Sequence, residues 1–456
     1  MILDSSIFKD YDIRAKHGSS IDKEGVARIG GAIGVFFNPK TVAIGYDMRL
    51  SSQEWFDALS EALIKQGINI IDLGLISTDM SYFAAGTLDV DIAIMITASH
   101  NPPQDNGMKI VKRGAIGVSG DSGIYDIRDL ATSNQSFPEA NSQGKISKRD
   151  ILEDWIAHTL TLADTTTFKP LKVVIDAGNG MAGKFIPEIA KHLPIKIIPL
   201  YFELDGTFPN HLANPLLEEA QKGIIAKVLE EKADLGIIFD GDGDRMFLVD
   251  ENGRFLSGTI TTAMVADQLL KSHAGATILY NAICGRVVPE TVAKSGGKAE
   301  RVRVGHTLIK EAMRKHQALF AGEHSGHYYF KDNFNADSGL IAALVVLEMI
   351  SQSEKKLSEL ADAFDIYPSS GEINFSVEEK QAMMDSIAKK YPDAEVDWLD
   401  GLSVWKKEWW ANIRPSNTQP VLRLNIEADS AEILSKIQQE LQNHILAEGG
   451  KIAEEH

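Results

Sequence analysis

The sequence predicts an α/β protein: three tandem doubly wound α/β units and a C-terminal α+β cap around a central cleft. Three observations predict it. Short apolar runs rich in β-branched residues recur at TVAIGYD from Thr41, KVVIDAG from Lys172 and ATILYNA from Ala276, each followed by a stretch able to form a helix. Each unit then carries a second strand ending in an unusual polar loop: DIAIMITASHNP from Asp91, DLGIIFDGDGDR from Asp234 and ALFAGEHSGH from Ala318. After about Tyr367 the composition changes, and the alternation in VLRLNIEA reads as a strand with one wet face.

The paired runs at Thr41 and Asp91, Lys172 and Asp234, and Ala276 and Ala318 are continuously apolar, which suits parallel sheets covered on both faces. Such sheets bind ligands in loops at the carboxyl ends of their strands, and all three polar loops fall there. The polar stretch EANSQGKISK from Glu139 and the segment YPSSG from Tyr367 mark boundaries. The expected units are therefore 1–145, 146–252 and 253–367, with the cap at 368–456. Within the cap, EINFSV reads as a strand, Glu378 to Tyr391 as a helix, and about Ser430 to Leu446 as a closing amphipathic helix.

Length and charge bound the function. At roughly 150 residues per domain, the 456 residues give about three domains, with no need of disulfides. Lys and Arg number 46 against 64 Asp and Glu, a net charge of −18. Extended polyanions require clustered positive charge, so neither nucleic acid nor an anionic membrane is an expected partner. A small anion in a locally basic pocket is compatible with this balance. The lone Cys284 excludes an intramolecular disulfide and a multi-cysteine zinc site, and it fits a reducing compartment. MILDSSIFKD has no secretory pattern. The apolar stretches Ile29 to Phe37 and Leu340 to Leu347 fall short of the ~20 residues that span a bilayer. A cytoplasmic protein is expected.

Four loops carry the chemistry. In TASHNP, Ser99 ends an apolar strand just before His100, and Pro102 and Pro103 stiffen the chain beyond them. A hydroxyl on a stiff turn suits a covalent phosphoryl carrier; as an isolated motif it equally reads as a helix cap. In DGDGDR, Asp240, Asp242 and Asp244 converge if the glycines let the backbone curl. Each carboxylate pair about 4 Å apart then repels by about 4 kcal/mol at an effective dielectric near 20. A divalent cation removes that strain, and hard oxygen ligands favour magnesium. An EF-hand is disfavoured because Arg245 replaces the required glycine and the loop comes after a strand. Asp240 as the nucleophile remains open, as does a solvated turn. The glycines Gly178, Gly180 and Gly183 after KVVID, with Glu203 beyond, come close to a dinucleotide fingerprint. Against it stands the neighbouring carboxylate cluster, which repels a pyrophosphate. In GEHSGH, Glu323 and Ser325 alternate toward a polyol and His327 is a proton-transfer candidate; a packed or capping histidine is the plainer alternative. In RPSNTQP, Arg414, Ser416, Asn417 and Thr418 form a donor set suited to a phosphate monoester, or an ordinary proline turn.

Taken together, TASHNP, DGDGDR, GEHSGH and RPSNTQP resemble the α-D-phosphohexomutase superfamily, whose members carry phosphoserine, magnesium, sugar and phosphate loops in that order. YDIR at Tyr11 to Arg14, NGMK at Asn106 to Lys109 and VGHTLIK from Val304 extend the resemblance over the whole chain. S-N-T in the cap loop and TASHNP resemble the phosphomannomutase group rather than the phosphoglucosamine mutases. Two departures stand out. Ala15 replaces the family glycine of YDIRG, and strains the turn if positive φ is needed there; His17-Gly18 is the alternative place for it. Ile283 and Cys284 occupy a stretch where some relatives place a phosphate-contacting lysine, so that contact is not carried over.

The resemblance implies reversible conversion of mannose 6-phosphate and mannose 1-phosphate through a phosphoserine enzyme and a 1,6-bisphosphohexose, which is both intermediate and activator. A phosphoglucomutase or dual enzyme, a phosphoglucosamine mutase and a non-catalytic phosphosugar-binding protein are the alternatives. It implies one Mg²⁺ held by Asp240, Asp242, Asp244 and the Ser99 phosphate. It also implies cationic help from Arg14 and Arg245 beside His100, and proton transfer by Lys109, His306 or His327. Substrate contacts fall to Tyr11, Arg14, Glu323, Ser325, Arg414, Ser416, Asn417, Thr418 and Arg423. Hexose phosphates are the partners, and a monomer or weak homodimer is expected.

Overall fold

A computed structural model of the chain describes residues 3–416 and 421–453. Asn417 and Thr418 of the cap loop lie outside the described residues. Four sheets succeed one another along the chain. In the first, Thr41–Tyr46 runs parallel to both Asn69–Leu75 and Ile92–Ile96. In the second, Lys172–Asp176 lies between the parallel strands Lys196–Leu200 and Leu235–Phe239. In the third, Thr277–Asn281 lies between Lys298–Val302 and Phe320–Gly322.

The sheets depart from a purely parallel plan at the same place in each unit. The strand entering each polar loop is succeeded by an antiparallel partner, not a helix. Ile92–Ile96 turns into Asp105–Lys112, Leu235–Phe239 into Met246–Asp250, and Phe320–Gly322 into Tyr328–Phe330. The polar loops are therefore hairpin connections, with ladder hydrogen bonds joining the strands at both ends. Ala15 lies in the strand Ile13–Lys16 opposite Asn106, and the positive φ falls on Gly18 at +78°. The Ala15 substitution thus meets no strained backbone.

One continuous apolar core joins the three units, with Met95, Phe185, Phe239, Phe320 and Leu344 among its members. The apolar run at Leu340 lies within the helix Gly339–Ser351, almost wholly buried at the centre of this core, as a helix apolar on all sides must be. Among the described residues, no helix is long and apolar enough to cross a membrane. The cap has a core of its own, built from Phe375, Ile413, Leu424 and Leu441, under an antiparallel sheet with the helices Lys380–Lys390 and Ala431–Ala447. Ser430 caps the last helix by accepting from the Ile433 N–H.

The three glycines of the apparent dinucleotide fingerprint have a different use. A Cβ on Gly180 would lie 2.6 Å from the Gly241 carbonyl oxygen, and one on Gly183 would lie 2.0 Å from that of Phe202. Gly180 thus packs against the DGDGDR loop, where the Met181 N–H also donates to the Gly241 carbonyl, Gly183 packs against the chain at Phe202, and Gly178 supplies a φ of +52°; these uses account for all three without a nucleotide.

Candidate active site

Ser99 lies just beyond the strand Ile92–Ile96 and adopts a left-handed conformation, φ +51°, unusual for a residue with a side chain. Its N–H is held by Thr97 Oγ1 at 2.8 Å. Its hydroxyl donates to Asp240 Oδ2 at 2.8 Å and lies 3.2 Å from His100 Nδ1. Arg49, from the strand-end sequence GYDMR, holds the loop in place. Its guanidinium donates to the carbonyls of Ser99, Asn101, Pro102 and Asp105 at 2.7–2.9 Å, and its Nε lies 3.2 Å from Asp47. Phe208 of the second unit covers it, the ring centroid 5.2 Å from the guanidinium carbon. Arg14 adds contacts to the Ala98 carbonyl and to Asn101 Oδ1 and is itself oriented by Asp12.

Asp240, Asp242 and Asp244 are fully buried, and one carboxylate oxygen from each lies within 4.8 Å of the others. Three cations face them from within the chain. Arg245 Nε lies 2.8 Å from Asp240, and Lys109 Nζ lies 2.8 and 2.6 Å from Asp242 and Asp244. The third is Arg14, close enough to depress the Asp242 pKa. Thr78, from the first unit, donates its hydroxyl to the Asp242 carboxylate and its N–H to the Asp242 backbone carbonyl. Burial pushes the Asp240 carboxyl up to about 7, although Arg245 opposes it. Burial would raise Asp242 too, but the Lys109 ammonium outweighs it and holds that carboxyl well below the usual range. Lys109 is raised in turn: burial opposes its charge, and Asp242 and Asp244 prevail. In this arrangement Lys109 is therefore a fixed cation. Even so, Asp242 Oδ1 and Asp244 Oδ1 are buried without a hydrogen-bond partner. Orphaned, hard carboxylate oxygens on converging side chains fit a small divalent cation. A second grouping of Asp244, His327 and Asp337 has a cation already, since Lys310 Nζ sits 2.7 Å from Asp337 Oδ1.

The third loop reaches the same place. Arg245 and His327 form a β-bridge, and His327 Nε2 is 3.6 Å from Asp244 Oδ1 while its Nδ1 faces Ser325 Oγ at 3.1 Å. Burial lowers the His327 pKa to about 3 and takes His306 and His100 well below their usual value, with Lys310 and Arg245 respectively as the next contributors. All three imidazoles are neutral at pH 7. His306 opens the helix His306–His316 with Nδ1 buried and unpartnered, and Tyr11 stacks edge-on at 5.7 Å. Glu323 accepts from Asn281 Nδ2 at 3.1 Å and from the Tyr329 hydroxyl, and burial raises its pKa to about 7. In the cap, Arg414 and Arg423 share Glu372, at 3.4 and 3.2 Å, and the Ser416 N–H donates to the Val421 carbonyl.

The chain matches four successive domain families: phosphoglucomutase/phosphomannomutase α/β/α domain I over residues 5–136, domain II over 153–253, domain III over 257–367 and the C-terminal domain over 372–444. A phosphomannomutase from Vibrio cholerae is 40% identical over 452 residues, covering 94% of this chain and 97% of that protein. This chain belongs to the phosphoglucomutase/phosphomannomutase family. It is a phosphohexomutase, an isomerase of the α-D-phosphohexomutase superfamily. A family protein from Burkholderia thailandensis superposes with a TM-score of 0.91 at 32% identity, with 99% of both chains covered. An Aspergillus fumigatus N-acetylphosphoglucosamine mutase, solved with GlcNAc-6P and magnesium, shares the fold at TM-score 0.62 and 13% identity over 96% of this chain and 95% of that one.

The phosphohexomutase fold gathers Ser99, His100, Arg14, Lys109, Asp240, Asp242, Asp244, Arg245 and His327 into one connected network. His306 and Tyr11 adjoin it through Lys109 and Glu323, whose charges reach them. Arg414 acts on Glu323 electrostatically but contacts Glu372. Arg49, Thr78 and Glu372 escaped the sequence reading. Only Arg49 had a local signal: Asp47 and Arg49 alternate at the carboxyl end of a parallel strand, where ligand loops gather.

Proposed function

We propose that this phosphohexomutase interconverts mannose 6-phosphate and mannose 1-phosphate, with Ser99 Oγ as the phosphoryl carrier. The observation that carries the reading is the Ser99 hydroxyl, held on a left-handed turn 2.8 Å from Asp240, whose neighbours Asp242 and Asp244 each present an orphaned carboxylate oxygen. Asp240, Asp242 and Asp244 would hold Mg²⁺, which when bound supplies charge neutralisation for a transferring phosphoryl group.

The remaining work falls to side chains. A sugar hydroxyl attacks the phosphorus of phosphoserine; its oxygen gains the P–O bond as the Ser99 Oγ–P bond breaks. The hydroxyl proton passes to a neutral imidazole, His327 or His306, both kept unprotonated by burial. The product is a 1,6-bisphosphohexose, which also serves as activator. Reoriented, it returns its other phosphoryl to Ser99 Oγ, and the sugar oxygen regains a proton. Arg14, Arg245 and Lys109 offset the repulsion between two dianionic phosphates, on the order of 16 kcal/mol at about 4 Å and an effective dielectric near 20. Glu323 and Ser325 address the sugar hydroxyls. Arg414, Ser416, Asn417, Thr418 and Arg423 grip the phosphate that is not reacting, and Tyr11 lines the approach. A monomer or weak homodimer in the cytoplasm completes the reading, and the single, buried Cys284 suits that reducing compartment.

A panel of mannose, glucose and glucosamine phosphates, assayed with a 1,6-bisphosphate activator, tests the reading. Highest kcat/KM on mannose phosphates is expected; faster turnover of glucose phosphates would shift the assignment to phosphoglucomutase. Arg414→Ala should raise KM for mannose 6-phosphate by about tenfold or more, in line with losing a charge-assisted phosphate contact. An unchanged KM removes the assigned role.

Magnesium affinity should depend on pH. Asp240 must be ionised to ligate, and its metal-free carboxyl lies near 7, against 3.8 when unperturbed. Titration calorimetry should show affinity rising as pH climbs through about 7, with proton release below it. Linkage fixes the sign for the metal-free fold: the stability from protonated Asp240 is complete below 3.8 and lost as pH rises through about 7.

A further inference from the structure

Glu372 lies between the two arginines assigned to the distal phosphate. Its Oε2 is 3.4 Å from Arg414 Nη2 and its Oε1 is 3.2 Å from Arg423 Nε, so one carboxylate spans both guanidinium groups. The Arg414 side chain is 4% exposed, whereas that of Glu372 is 26% exposed. The arginine is locked in the sheet, and the carboxylate is the partner with a way out. Strand pairing fixes this geometry. Arg414 and Arg423 face each other across Trp409–Pro415 and Leu422–Ala428, and Glu372 enters from the next strand, Ser369–Ser376, opposite Asn425. That strand has an irregular register between Ser369 and Glu372, and Gly371 has φ +65° with open space where a Cβ would be. The residue bridging the fork thus sits immediately after a pliable point of the chain entering the cap.

We propose that Glu372 is an internal counterion that occupies the phosphate fork when no phosphate is bound and competes with substrate for it. This rests on the reading of Arg414 and Arg423 as the distal phosphate site. A carboxylate offers two oxygens to guanidinium donors much as a phosphate does, with half the charge. A phosphate dianion and this carboxylate repel each other and share the same donors, so one must yield. The competition serves a mutase. A bisphosphate intermediate must let go of the cap to present its other end, and a carboxylate that takes back the arginines favours release. Without it the grip tightens.

Phosphate binding, measured by calorimetry with inorganic phosphate and with mannose 6-phosphate, tests this in the full-length chain carrying Ser99→Ala, which cannot turn over. Adding Glu372→Gln, similar in shape and uncharged, should tighten both by about fivefold, the range of a part-exposed ion pair. Glu372→Asp, which withdraws the carboxylate, should tighten both by less. Arg414→Ala should weaken both. Unchanged or weaker affinity in Glu372→Gln, with Arg414→Ala still impaired, would show that Glu372 only props the arginines; the inference falls and the phosphate site stands. If Arg414→Ala binds as tightly as its parent, the site assignment falls and takes the inference with it. If Glu372→Gln unfolds early in a thermal melt, the Glu372→Asp result decides by the same sign.

Discussion

Ser99→Ala should abolish mutase turnover, lowering kcat by at least about 10⁴-fold, because it removes the hydroxyl proposed to carry the phosphoryl group. The fold should survive. Ser99 has its own N–H tied to Thr97, its carbonyl tied to Arg49, and its side chain making one bond to Asp240, which keeps Arg245 as a partner. Alanine tolerates the left-handed turn no worse than serine. Intact-mass analysis of the wild type should show one added phosphate, missing from the variant. If the phosphate instead maps to Asp240, the chemistry is that of an aspartyl-phosphate enzyme and the role of Ser99 is lost.

Arg49→Met should be the most destabilising single change near the site, about 3–5 kcal/mol, because it leaves Asp47 buried without its cation. It also removes the donor to four loop carbonyls. Urea unfolding reads this directly. Arg49→Lys separates positioning from stability. The ammonium still faces Asp47 but cannot bridge four carbonyls, since its donors radiate from one atom rather than a planar fork. Most stability should return while kcat stays down about a hundredfold, the scale of a reacting atom displaced by about 1 Å. KM for mannose 6-phosphate should be nearly unchanged, because Arg49 holds the loop backbone and contacts none of the side chains assigned to the sugar or to the non-reacting phosphate. A kcat restored in full by lysine would show that charge alone matters.

Much of the candidate site was legible in the sequence because the groups proposed to react are contiguous. DGDGDR brings three carboxylates and an arginine together within six residues, and local backbone curl is enough to make them converge. The same holds for Ser99 with His100, and for Glu323, Ser325 and His327. Arg49 left only a local hint beside Asp47, and its role was illegible because the carbonyls it holds lie 50 to 56 residues further on and carry no side-chain signature. Glu372 was illegible because its role depends on strand pairing that puts it beside residues 42 and 51 positions later. The fingerprint glycines misled for a related reason: a glycine signals close approach, and the sequence does not say what approaches.

By itself the sequence determined the three α/β units and the distinct cap, because burial on both faces of a strand writes itself as an unbroken apolar run. It also determined the order of the four loops. Tertiary structure alone decided the state of the groups those loops carry. Lys109, read as a proton shuttle, lies in a double ion pair that keeps it charged, while His306 and His327 are stripped of charge by burial. The reason is physical. Charge states are set by desolvation and by neighbours brought together by folding, both of which are properties of position in space rather than of position along the chain.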